Sequence, residues 1–100
     1  MSVYVDDLNR PARVGQISSR WSHLFADTHD ELEDFARQLG LQPGWIQYAG
    51  THREHYDLTA GKRAQALQLG AQPISYLRDV PVLLEQRRRA RRRSSVTRPE

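Results

Sequence analysis

The 100-residue chain contains no cysteine, which excludes a disulfide framework and any thiolate zinc site. That absence suits a reducing compartment, and a cytoplasmic location is the expectation. Long apolar runs are also missing: none approaches the length that spans a bilayer, and Met1-Ser2-Val3 does not lead into a signal-peptide pattern. No membrane partner is therefore expected. Large apolar residues are scarce, with two Trp, four Tyr and two Phe, and the mean hydropathy is −0.75. Such a chain builds a thin core, which pairing of two copies in a homodimer would complete.

What the chain has in quantity is charge, and it is unevenly spread. Residues 1–85 hold eight Lys/Arg against eleven Asp/Glu, a balance of −3, while residues 86–100 hold seven Arg against Glu100, a balance of +6. The body is mildly acidic and the basic pI belongs to the tail. This asymmetry predicts one globular domain over 1–84 and an Arg-rich, helical or disordered tail over 85–100.

Val3-Tyr4-Val5-Asp6 alternates with period two and predicts a strand. Residues 7–20, with Asn9, Pro11 and Gly15, read as a loop, and 21–26 as a second strand. Thr28-His29-Asp30-Glu31 fits a capping box, and Leu32, Phe35, Ala36 and Leu39 form one helical stripe that Gly40 ends. Strands are expected at 45–48, 55–58 and 74–77, a second helix from the Thr59 cap to about Leu69, and a last helix from Asp79 with Pro81 in its first turn. An offset of thirty residues aligns Asp27 with Asp57, Leu39-Gly40 with Leu69-Gly70, and Gln42-Pro43 with Gln72-Pro73. Strands alternating with helices predict an α/β fold: a small mixed or mainly parallel sheet of four to five short strands with two to three helices.

The chemistry concentrates at His55-Tyr56-Asp57-Leu58-Thr59 followed by Ala60-Gly61-Lys62-Arg63. Two residues apart on a strand, His55 and Asp57 share a face. Lys62 and Arg63 stand in the first turn of the second helix, where its dipole disfavours cations, so an anion held by Thr59, Gly61, Lys62 and Arg63 would account for them. The alternative is a plain Thr59 cap with solvated cations. The Gly-Lys pair is not a P-loop, because Tyr56 stands where that loop needs glycine and Arg63 where it needs Ser or Thr. A metal would need a cross-strand set such as His23, His55 and Asp57, supplemented by Asp6 or Asp7, although no ligand spacing matches a known signature. His55, Asp57 and His23 are also the candidates for general acid and base in a hydrolase. Trp21, Trp45, Tyr48 and Tyr56 could line a pocket for a flat ligand, but with so few large apolar residues available they are assigned to the core. The arginine run 87–93 suits nucleic-acid phosphates, with no aromatic interleaved for base stacking.

Val3-Tyr4-Val5-Asp6-Asp7, Trp21-Ser22-His23-Leu24, Ala26-Asp27-Thr28, His55-Tyr56-Asp57-Leu58-Thr59, Lys62-Arg63-Ala64 and Leu69-Gly70-Ala71 together resemble the small bacterial and phage proteins catalogued as domain of unknown function 4031. The resemblance covers about residues 3–78. It implies a cytoplasmic protein of bacterial or phage origin and carries no known activity or cofactor with it. Three functional readings follow. The first is a phosphate-ligand site, for a nucleotide or a nucleic-acid backbone, at the strand–helix junction. The second is a His/Asp-dependent hydrolase, metal-assisted phosphoesterase or nuclease. The third is a phage or host interaction module with no small-molecule site.

Overall fold

One long strand organises the molecule. The computed structural model describes residues 2–96, with side chains as far as Arg92; the end of the expected tail, 97–100, lies outside the described residues. The elements are β1 (Val3–Val5), β2 (Arg10–Val14), β3 (Ile17–Ala26), α1 (His29–Gln38), a 3-10 turn (Pro43–Trp45), β4 (Tyr56–Leu58), α2 (Ala60–Gln68), β5 (Gln72–Pro73) and α3 (Asp79–Val96). β3 pairs antiparallel with β2, β1 and β4, and β1 pairs parallel with β5. The result is a mixed five-stranded sheet in an α/β fold.

Several boundaries differ from the sequence expectation. Residues 10–14 are not loop but β2, which forms a hairpin with the first half of β3 through Val14↔Ile17. The exposure of β2 explains its silent pattern: all five residues are exposed, so no apolar alternation marks them. The strand expected at 45–48 is replaced by the 3-10 turn and a single bridge, Gln47↔His55. β5 lies just upstream of the expected 74–77, with Ile74 donating its amide to Val5 at 2.9 Å. Trp45 and Tyr48 are exposed, at 53% and 58%, whereas Tyr56 is buried at 1%. α3 continues unbroken across residue 85.

Alternation along β3 divides the sheet into two faces. Ser22, Leu24 and Ala26 point to the buried face with Val5, Tyr56 and Leu58, and α1 covers this face with Leu32, Phe35, Ala36 and Leu39. α2 adds Ala66. His23 and Phe25 point to the other face, where Tyr76 stacks on His23 just ahead of α3.

Both shorter helices begin and end as their sequences require. Thr28 Oγ1 accepts from the Glu31 amide at 3.2 Å, and Thr59 Oγ1 from the Lys62 amide at 3.2 Å. The Glu31 carboxylate takes the Thr28 hydroxyl proton at 2.8 Å rather than reaching the Thr28 amide. Gly40 (φ 77°) and Gly70 (φ 104°) reverse the chain into the left-handed region, and the amides of Leu41 and Ala71 return to Ala36 and Ala66. The thirty-residue correspondence therefore holds through these stops. It ends at the Gln-Pro pairs, since Gln42-Pro43 opens the 3-10 turn and Gln72-Pro73 forms β5.

Leu24 is fully buried and pairs with both Val5 and Tyr56. Leu24→Ala is expected to cost about 3 kcal/mol of stability by urea denaturation. A loss below about 1 kcal/mol would mean that the site collapses around the smaller side chain.

Candidate functional site

The face opposite the core collects the polar residues that the strands cannot bury. His23 lies between Ser22 and Leu24, and Asp57 between Tyr56 and Leu58, all four of these neighbours being buried. His23 and Asp57 are direct partners in the β3–β4 register. His55, two residues before Asp57, is held by two backbone bonds with Gln47 of 2.8 and 3.1 Å. Strand periodicity thus brings three side chains to one place.

Both rings have their Nδ1 atoms tied behind them. His23 Nδ1 lies 2.6 Å from Asp6 Oδ2, and His55 Nδ1 lies 2.8 Å from the Arg53 carbonyl. Each of these partners only accepts, so each Nδ1 carries the proton and, in the neutral ring, Nε2 presents a lone pair. Both Nε2 atoms face Asp57 Oδ1, at 3.8 Å from His23 and 3.4 Å from His55. The three atoms lie within 4.8 Å of one another. Phe25 lies against both rings, with centroid separations of 5.8 and 5.4 Å, and Tyr76 stacks on His23 at 5.7 Å. The rings meet edge to face at 83°.

Asp6 positions the group. Its fully buried carboxylate also accepts from the His23 amide at 2.9 Å and the Leu8 amide at 3.3 Å. Its own carbonyl accepts from Arg63 Nε at 3.0 Å. Asp6 sits at an interruption in the hairpin: Val5 faces Leu24 and Arg10 faces Trp21, so residues 6–9 stand opposite only Ser22 and His23.

The residues expected to cradle an anion have other partners. Thr59 caps α2, and Ser19 Oγ accepts from the Ala60 amide at 3.3 Å. The Lys62 ammonium donates to the Leu39 carbonyl at the end of α1, and Arg63 turns to Asp6. Gly61 is exposed, and among the described residues its amide has no partner. Asp7 holds the Tyr76 amide at 2.7 Å.

Sequence reasoning missed the supports of this site. The Arg53 carbonyl, Phe25 and Tyr76 carried no signal of it. Nor did Glu54, fully buried in a polar stretch, which contacts His29 Nδ1 at 3.0 Å, the Gly50 amide at 3.2 Å and the Arg87 guanidinium at 3.6 Å. Its hydrogen bond is the main cause raising the His29 pKa above the usual imidazole value. The one available hint for Asp6 was a carboxylate directly after a buried strand position.

A family model described as "Protein of unknown function (DUF4031)" matches residues 3–87. The chain belongs to this family. The match runs beyond residue 78, where the sequence resemblance stops, and takes in Arg87 of α3. No curated protein and no solved structure matches the chain. In this DUF4031 chain the description carries no activity, so the chemistry rests on the geometry.

When its Nε2 is protonated as well, as the imidazolium, His55 donates toward Asp57 Oδ1 and is the main cause holding the Asp57 carboxyl below its ordinary value, with burial opposing it. A carboxyl depressed in the folded state lends stability above its unfolded pKa and loses it as pH falls through the folded value. In His55→Ala the Asp57 carboxyl is expected to titrate closer to the ordinary value, read from its side-chain carbon by NMR. Identical titrations in the two proteins would remove His55 as the cause.

Proposed function

We propose that His23, His55 and Asp57 hold one divalent cation and that the protein uses it to hydrolyse a phosphoester. One observation carries the reading: two Nε2 lone pairs and a carboxylate oxygen converge while both Nδ1 protons are committed elsewhere. Three acceptors directed at one another repel unless a proton or a metal cation lies between them, and a divalent cation satisfies all three at once. Metal-binding histidines characteristically give their second nitrogen to a carboxylate or a backbone carbonyl, and here there is one of each.

The spacing supports it. Tetrahedral zinc with bonds of 2.0–2.1 Å separates its donors by about 3.4 Å. His55 Nε2 and Asp57 Oδ1 stand at 3.4 Å, and His23 Nε2 is 3.8 Å from the same oxygen. The donors lie within 4.8 Å of one another, so closing the set to that spacing takes a shift of at most about 1.4 Å. Three protein donors leave a position open, as catalytic sites require.

A bound divalent cation would supply Lewis acidity toward water and a phosphoryl oxygen. Asp57 would hold the cation through one oxygen, leaving its second oxygen free to accept a proton from water. Asp6 and the Arg53 carbonyl hold the two rings in the required tautomer. The phosphoryl group also suits the cations around the site: Arg63 is fastened to Asp6, and Arg53 lies two residues from His55.

Titration calorimetry of Zn²⁺ and Mn²⁺, paired with hydrolysis of a chromogenic phosphodiester, tests this. One equivalent of metal should bind, and a concentration of 100 Kd should add about 2.7 kcal/mol of stability. Alanine at His23, His55 or Asp57 should abolish binding and turnover, and Asp6→Asn should weaken metal affinity about ten- to a hundredfold. Wild-type protein that binds neither metal, or metal binding indifferent to these three residues, would overturn the assignment.

A further inference from the structure

α3 carries Arg87, Arg88, Arg89, Arg91 and Arg92, against Glu85 as the carboxylate among them. Glu85 is shared by Arg88 at 2.9 Å and Arg89 at 3.0 Å, and the two guanidiniums hold its carboxyl down to about 2. Arg87 turns inward to Glu54. Arg91 and Arg92 are exposed, and among the described residues neither has a carboxylate partner. A helical segment that is polar all round and this cationic is not built to pack on an apolar core. Its surplus charge is complementary to a polyanion.

This cationic segment borders the metal-site turn. Arg87 Nη1 donates to the Glu54 carbonyl at 3.4 Å, next to His55. The neighbouring His52 imidazole sits below its usual pKa, first because of burial and then through the fields of Arg53, Arg88, Arg87 and Arg91. The same connection presents aromatic surface. Tyr48 is 58% exposed and held at φ 54°, a left-handed conformation that a bulky residue adopts only when its surroundings impose it. Thr51 imposes it, donating both its amide at 3.1 Å and its hydroxyl at 2.7 Å to the Tyr48 carbonyl. The Tyr48 ring stands 6.0 Å from the His55 ring, and the Arg53 guanidinium is 6.0 Å from its centre. Trp45, 53% exposed, lies three residues upstream.

We infer that the substrate is single-stranded nucleic acid, its backbone lying along the arginines of α3 and a base stacking at Tyr48 beside His55. The substrate assignment rests on the hydrolase reading above; the binding surface does not. A cationic track combined with exposed aromatic rings binds single strands with little sequence preference, because every base offers a π face. In the reaction, water oxygen bonds to phosphorus, the bond from phosphorus to one sugar oxygen breaks, and that oxygen takes up a proton. One water is consumed for each phosphodiester cut.

The test separates binding from chemistry. Fluorescence anisotropy of a labelled oligothymidylate of about 20 nucleotides, with metal-depleted full-length protein, measures affinity against salt. Replacing Arg88, Arg89, Arg91 and Arg92 together with Gln should lower the slope of log K against log salt by about 3. Tyr48→Ala should weaken binding about tenfold and Tyr48→Phe should restore it. With Mn²⁺ added, the fourfold variant should raise KM for the oligonucleotide and leave hydrolysis of the small phosphodiester unchanged. Equal or tighter binding of the same oligothymidylate annealed to its complement, or affinities unmoved by these substitutions, would overturn the inference. Small-diester hydrolysis without oligonucleotide binding would overturn the inference alone. Oligonucleotide binding without any metal-dependent hydrolysis would keep the surface and overturn the hydrolase reading.

Discussion

The contact on which most of this structure depends is the buried carboxylate of Asp6 against His23. A carboxylate removed from water must be met by donors, or its burial costs several kcal/mol. Asp6 meets the backbone amides of His23 and Leu8 and the imidazole of His23. Those bonds close the interruption between β1 and β2, where four residues face two. One group thus sets the hairpin register and aims a ring. Through the Asp6 carbonyl and Arg63 it also fastens α2 to the same point.

Two differently used faces follow from the alternation of β3. The inner face is apolar and covered by α1 and α2, with Tyr56 reaching through to give its hydroxyl to Glu33 at 2.6 Å. Burial and that carboxylate push the Tyr56 phenol pKa well above its usual value, so it stays a neutral donor. The outer face is only partly covered, near Tyr76 and the first turns of α3, where Val80 is buried. The histidines stand on an apolar floor formed by Phe25, yet Asp57 remains open to solvent. Such a site combines fixed geometry with access for an ion or a substrate.

The charges make sense by element rather than by net balance. α1 carries Asp30 and Glu31 in its first turn, which suits its positive end. Lys62 looks misplaced at the start of α2 until its ammonium is followed to the Leu39 carbonyl. There it meets the negative end of α1, a favourable partner for a cation. Glu54 and Arg87 then tie the middle of α3 to the turn that carries His55. The arginines beyond them project along a molecule 48 Å in its longest dimension and 27 and 25 Å in the others.

Local patterns in the sequence determined the two shorter helices, their threonine caps and their glycine stops, and placed His55 beside Asp57 on one strand face. These features depend on spacing within a few residues, where propensity and capping act. β2 was illegible because both its faces meet solvent, and the 45–48 strand was misread because apolar letters there belong to an exposed turn. The cross-strand group of His23, His55 and Asp57 was expressible from sequence as a possibility of strand pairing. Only the register, His23 opposite Asp57, decided it. Tertiary structure alone decided that Asp6 and the Arg53 carbonyl orient the two rings, that Lys62 serves α1, and that Glu54 is buried against Arg87. Apart from the Arg53–His55 contact, which spans two residues of an irregular turn, each joins residues far apart in the chain through directional polar contacts, and such contacts leave no periodic trace in a sequence.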